Sequence, residues 1–292
     1  MTAGSPTIYL PYRLPALHPI FRRPIFTLRE RVIPYRLLRF LQDRRVATVT
    51  LDSGDGANRV DLRLAAELRE VFQAIQEDQS TDLVILTASG SAFSAGREPA
   101  PAALAGSSGP ERLEWLSQLQ VASFIALVSV PVIVAINGDA LDHGLELALA
   151  GDLRIAVSNA RFGLTDLARG GFPWDGGTQR LPRLIGLSWA RDMILTSRII
   201  DAAQALDLGL VNRVVEPDRL EAETRALAED ILAGGPIAAR YAKEAVIKGT
   251  DLPLTEGLRL EADLNVILQS TADRAEGIQS FLEKRTPRYT GR

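Results

Sequence analysis

The stretch at residues 134–152, VAINGDALDHGLELALAGD, decides how this chain is read. It opens as a β-branched apolar run, breaks at Asn137-Gly138 and resumes with Leu145, Ala148 and Leu149 at helical spacing. That pattern predicts a strand, a tight turn and a buried helix whose first turn follows Asp142. Such a helix start presents backbone N–H groups that have no intrahelical acceptor. One carboxylate, Glu146, stands in the otherwise apolar first turn, where burial is costly unless the group is paired or used. Glu146 is therefore the first candidate for chemistry.

Just upstream, residues 121–136 are the most apolar part of the chain, but Pro131 divides them and neither half is long enough to span a bilayer. A largely apolar helix over 111–128 and then a buried strand is the expectation. Earlier still, LVILTA (Leu83–Ala88) reads as a buried strand, and the small-residue loop SGSAFSAG follows it, suited to close approach of a ligand to backbone. Val46–Leu51 pairs as a hairpin with a strand at 37–40, and Asp61 is placed to cap a helix over Leu62–Glu77. Downstream come a strand at 153–156, the segment ARFGLTD, the loop ARGGFPWDGG and a helix over 178–185. A short strand at 211–215 then interrupts helical spacing that continues as helices at about 218–233, 236–248, 255–270 and 271–284. Residues 1–34, rich in Pro, Arg and aromatics without a sustained period, are expected to form an extended arm.

Composition narrows the chemistry. The 292 residues are 46% hydrophobic and 24% charged with net charge −3, enough for a sizeable core and without a basic run for nucleic acid. There is no Cys, and His18 and His143 are the only histidines, so thiolate chemistry and a histidine-rich metal site are excluded. Acid–base work falls to carboxylates. Prolines interrupt every early apolar run, so no secretory signal is read and a cytoplasmic location is expected. Three small-residue segments, FSAG before Arg97, the helix start after Asp142 and GGFPWDGG, can offer backbone donors to a polarised carbonyl, with Glu146, Asp166 and Asp175 nearby in sequence.

FSAG at 93–96, INGDALDHGLELALAGDLRIA at 136–156, ARFGLTDLARGGFPWDGGTQRLPRLIG at 160–186 and FLEKRTPRY at 281–289 together resemble the crotonase, or enoyl-CoA hydratase/isomerase, superfamily. The resemblance covers roughly residues 35–289. It implies an α/β fold, a spiral core of ββα repeats over 35–200 with the acyl-CoA site, and a C-terminal helical trimerisation region over 201–292. It also implies a homotrimer or dimer of trimers. The ligand would be an acyl-CoA thioester, with coenzyme A entering as part of the substrate and no other cofactor or metal. Carried onto this chain, the oxyanion donors are the Arg97 and His143 N–H groups. The two hydratase acids are Glu146 and Asp166, the latter one methylene shorter than the Glu of the family. The double-bond isomerases, acyl-CoA hydrolases and a catalytically silent acyl-CoA binder are the alternatives to a hydratase.

The same resemblance places Ala57, Arg59, Ala95 and Gly96 along the coenzyme A and thioester, and Phe281 and Lys284 where the family reaches the coenzyme of a neighbouring subunit. A solvated surface Arg and a plain helix end are the alternative readings for Arg59 and for the last two. Asp142-His143 stands where the family carries glycines. Asp142 reads as a helix N-cap or a catalytic group, and the His143 side chain as solvent-facing or touching substrate. Asp175 reads as a site acid or a turn residue, because related enzymes place an extra acid one position earlier, at Trp174 here. Trp174 is expected to shape the acyl pocket and so to suit a cyclic or aromatic acyl group.

Overall fold

The computed structural model describes residues 35–99, 101, 104 and 106–292. The arm expected at 1–34 lies outside the described residues. Among the described residues ten strands divide between two sheets. The large sheet has the order β1 (Leu38–Asp43), β2 (Val46–Leu51), β3 (Leu83–Ala88), β5 (Val132–Ile136), β7 (Leu153–Val157) and β10 (Arg213–Val215). The small sheet has the order β4 (Ala92–Ser94), β6 (Asp139–Leu141), β8 (Arg161–Gly163) and β9 (Ile199–Asp201). Among the described strands only β1–β2 and β8–β9 pair antiparallel. Each of the pairs β3/β4, β5/β6 and β7/β8 sends one strand to the large sheet and the next to the small one, then a helical segment, which is the expected ββα repeat.

The alternation expected of a sheet with one packed face is present in β2, where Ala47, Val49 and Leu51 point inward, whereas every residue of β5 is buried. Against this sheet lies α1 (Leu62–Glu77), capped by the Asp61 carboxylate accepting from the Leu64 N–H at 2.7 Å. Its Leu64, Leu68 and Phe72 are fully buried, worth about 1.5–3 kcal/mol each.

Two differences from the sequence reading have clear causes. The single helix expected at 111–128 is two, α2 (Gly109–Leu119) and α3 (Ala122–Ala126). The break falls where the Asp175 carboxylate, distant in sequence, takes the N–H groups of Val121 and Ala122. The strand–turn–helix of the opening stretch also contains an extra strand, β6, between Asn137 and α4 (His143–Leu149). Strands of three residues carry too little alternation to be read from sequence.

The strand near 211–215 and the four helices after it follow the expected order, whereas β9 is a further strand that the sequence reading lacks. Residues 199–215 still supply strands to both sheets around α6 (Ala202–Asp207), after α5 (Gly177–Thr196), which kinks at Gly186. The helical region proper is α7 (Leu220–Leu232), α8 (Pro236–Gly249), α9 (Leu254–Gln269) and α10 (Ala272–Leu282). Among the described residues no helix is long and apolar enough to cross a membrane.

Candidate active site

Three parallel strands of the small sheet end at one place. β4 runs into Ala95–Arg97, β6 into Asp142-His143, and β8 into the 3-10 turn Asp166–Arg169. Ligand sites sit at the carboxyl ends of parallel strands for this reason, since loops and helix starts converge there.

The first loop is zipped to its neighbour. Val60 N–H donates to Gly96 O at 2.9 Å and Glu98 N–H to Val60 O at 3.0 Å, so the bridge leaves the Arg97 N–H on the side turned away from Val60. Ala95 N–H donates to Ala57 O at 2.8 Å, and the exposed Arg59 donates to Ala95 O at 2.9 Å. The sequence-predicted group Ala57, Arg59, Ala95, Gly96 and Arg97 is thus one assembly. It meets the second loop at Gly96, whose φ of +103° suits glycine and where a Cβ would lie 3.2 Å from that of Asp142. Gly144 approaches closer still: a Cβ there would sit 2.3 Å from the Ser94 carbonyl oxygen. This contact seats the first turn of α4 directly on β4. The His143 N–H, at the first position of α4, has no intrahelical acceptor.

Glu146 is 3% exposed. Its Oε1 accepts from the N–H groups of Asp175 and Gly177, both at 2.8 Å. Among the described residues Oε2 has no protein donor, so one oxygen is fixed and the other is left for a ligand. Burial pushes the Glu146 carboxyl up, against the pull of His143 and the two amides. Asp166 is also raised, first by burial and then by the facing Asp142 carboxylate, while Arg97, Arg169 and His143 oppose the rise. The Arg97 and Arg169 guanidiniums stand 3.6 and 3.8 Å from Asp166 Oδ1.

For each side chain of the Asp142-His143 pair the structure removes one of the two readings, the helix N-cap for Asp142 and the solvent-facing ring for His143. Asp142 does not cap α4: its carboxylate turns back to accept from Thr165 N–H at 2.5 Å and Thr165 Oγ1 at 2.9 Å, and it pairs with Arg169 at 2.5 Å. Capping needs an extended backbone, whereas Asp142 has φ +49° and ψ −121°, a glycine-type conformation that costs a side-chain-bearing residue about 1–3 kcal/mol. The His143 ring is not in solvent: it is buried with Nε2 3.0 Å from Asp175 Oδ2, while Nδ1 is buried without a partner. Asp175 is more than a turn residue, since the same Oδ2 also accepts from Val121 and Ala122 N–H at 2.6 and 2.7 Å.

Trp174 is half-buried with its indole N–H buried and unpaired. Phe281, on α10, is 82% exposed and Lys284 follows it at φ +55°. Among the described residues nothing joins these two to the cluster. Sequence reasoning missed Thr165, Arg169, Gly177 and Arg180, the last donating to Asp175 O at 2.8 Å and held down by burial. Only Arg169 carried a signal, its i,i+3 spacing from Asp166. A crevice of about 240 Å³ between Val60–Arg63, Glu98, Pro99 and Trp115 opens beside this loop assembly. A larger cavity of about 1290 Å³ lies between the other face of the large sheet and α7, and none of the candidate residues lines it.

Comparisons with known proteins show which family the chain resembles. The enoyl-CoA hydratase/isomerase family matches residues 42–292. The crotonyl-CoA hydratase of Syntrophomonas wolfei is 36% identical over 251 residues, 85% of this chain and 95% of that protein. The (E)-benzylidenesuccinyl-CoA hydratase of Thauera aromatica is likewise 36% identical, over 84% of this chain and 96% of its own length. The crystal structure of an enoyl-CoA hydratase from Bacillus anthracis superposes with a TM-score of 0.83 at 39% identity, covering 88% of this chain and all of that one.

Proposed function

The chain belongs to the enoyl-CoA hydratase/isomerase family, the crotonase superfamily, and from that premise we propose that it adds water across the 2,3 double bond of an enoyl-CoA thioester. The thioester oxygen lies between the Arg97 and His143 N–H groups, where charge develops as the enolate forms; each such donor is worth roughly 10²–10³ in rate. Glu146 Oε2 takes a proton from the attacking water, whose oxygen bonds to C3. Asp166 delivers a proton to C2, and solvent exchange restores both carboxyls. The reaction draws on amide dipoles and two acids, with coenzyme A arriving as part of the substrate. The observation that carries this reading is Glu146, buried, fixed through one oxygen by two amides and open at the other. Two carboxyls raised by burial give a base and an acid that both work above the ordinary carboxylate range.

The half-buried Trp174 supports a bulky, cyclic or aromatic acyl group. Exposed apolar side chains on α8, α9 and α10, among them Val246, Leu254, Val266 and Phe281, support self-association as a trimer or dimer of trimers.

Proton NMR in deuterated water tests the reaction. Crotonyl-CoA and cinnamoyl-CoA are expected to give 3-hydroxyacyl products with one deuterium at C2. Migration of the double bond in a 3-enoyl-CoA without hydration would replace this reading with an isomerase, and release of free coenzyme A would replace it with a hydrolase. Glu146→Gln and Asp166→Asn are each expected to lose about 10²–10⁴ in kcat. Undiminished activity in both would refute the two-acid mechanism.

A further inference from the structure

We propose that Asp142 and His143 form a two-sided brace that sets the positions of the two acids, Asp142 holding the turn that carries Asp166 and His143 holding the segment whose amides hold Glu146. This rests on the hydratase reading for the identity of the acids. The two residues are adjacent, both are buried, and their side chains reach in different directions to different segments. Asp142 binds Thr165, the neighbour of Asp166, through its N–H and hydroxyl, and Arg169 at the end of the same turn. His143 binds Asp175, and Asp175 and Gly177 supply both N–H groups that fix Glu146 Oε1.

Glycines at both positions would supply the backbone conformation and the amide donor without the strain at Asp142. The side chains therefore act beyond the backbone, and what they grip are the supports of the acids. Asp166 is the acid in greater need, since its short side chain makes its reach depend on where the Thr165–Arg169 backbone sits. On the other side, Asp175 Oδ2 accepts three donors, so the carboxylate requires His143 Nε2 to carry the proton. Nδ1 is buried without a partner. Both residues are positioning residues through their side chains, and the His143 main-chain N–H is a separate contribution that substitution leaves in place.

The charged groups around Asp166 are Asp142, Arg97, Arg169 and His143. Removing the Asp142 charge while keeping its shape, with Asp142→Asn, is expected to move the Asp166 limb of the pH–rate profile to lower pH. Asp142→Gly and His143→Ala are each expected to lower kcat about 100-fold, the effect of roughly 1 Å of misplacement, with KM changed less than about threefold. His143→Gln, which can still donate to Asp175, is expected to recover most of the loss. A kcat unchanged in Asp142→Gly and His143→Ala, a His143→Gln as impaired as the alanine variant, or a pH profile unmoved in Asp142→Asn overturns the brace.

The tautomer is read independently of turnover. In a ¹⁵N-histidine-labelled His18→Gln protein, only His143 contributes a signal. A proton on Nε2, whatever the state of Nδ1, supports the pairing, and a bare Nε2 overturns it even if the alanine variant does not fold. A wild-type protein that hydrates no enoyl-CoA refutes the hydratase reading, and the tautomer measurement then decides the brace alone.

Discussion

At Glu146 burial and hydrogen bonding pull in opposite directions, and burial wins, so the carboxyl lies above the ordinary glutamate value of 4.5. The sign for stability follows. The native state holds this proton more tightly than the unfolded chain, so the contribution favours folding below about pH 4.5 and is lost as pH rises through the raised value. Glu146→Gln, whose side-chain oxygen can still accept from Asp175 and Gly177, is expected to be more stable than the wild type at pH 8. The gain should shrink toward zero below pH 4.5, and urea midpoints across that range check it. A variant less stable at pH 8 would contradict the account. Gly144 poses the opposite case, a residue chosen for what it lacks. Gly144→Ala puts a methyl 2.3 Å from the Ser94 carbonyl, which is backbone and cannot swing aside. A loss of about 1–3 kcal/mol is expected in denaturant unfolding, together with a fall in kcat because α4 and the loop after β4 carry the two proposed oxyanion donors. Gly106→Ala, where a Cβ meets open space, should do neither.

Among the elements, α4 shows how a short helix is held without its own caps. Its C-terminal end is gripped by Arg154 of β7, which donates to Gly151 O at 2.7 Å and Ala148 O at 3.4 Å, and to Leu210 O at 2.8 Å. Burial pushes this guanidinium down to about 10. Arg154→Met fills the space but bares those carbonyls, at a cost of about 1–3 kcal/mol for each that finds no water. A Tm several degrees lower is the expected result in a thermal melt. Legibility in the sequence also sorts by element. Long amphipathic helices and the continuous apolar strands β3 and β5 were plain from period and composition, and so was the Asp61 cap. Glu146 was legible because a carboxylate in an apolar turn is conspicuous on chemistry alone. Thr165, Arg169, Gly177 and the true partners of Asp142 and His143 were not. Their roles arise from contacts across 23 to 32 residues of chain, which no local pattern encodes.

For the molecule as a whole, the exposed apolar surface of α8–α10 leads to an expected trimer or hexamer by native mass spectrometry, and a monomer at micromolar concentration would remove that proposal. The division of strands between two sheets has a further consequence, in time rather than in space. The large sheet is built mostly of five- and six-residue strands packed on a continuous core, whereas each small-sheet strand has three residues and β9 is largely exposed. Local opening draws on the parts with fewest buried contacts. Amide hydrogens of Leu83–Ala88 and Val132–Ile136 should therefore exchange only through global unfolding, while those of Arg161–Gly163 and Ile199–Asp201 exchange sooner. The loops that carry Arg97, His143 and Asp166 all hang from the sheet that opens first. The proposed site is therefore expected to loosen locally while the large sheet keeps the fold intact.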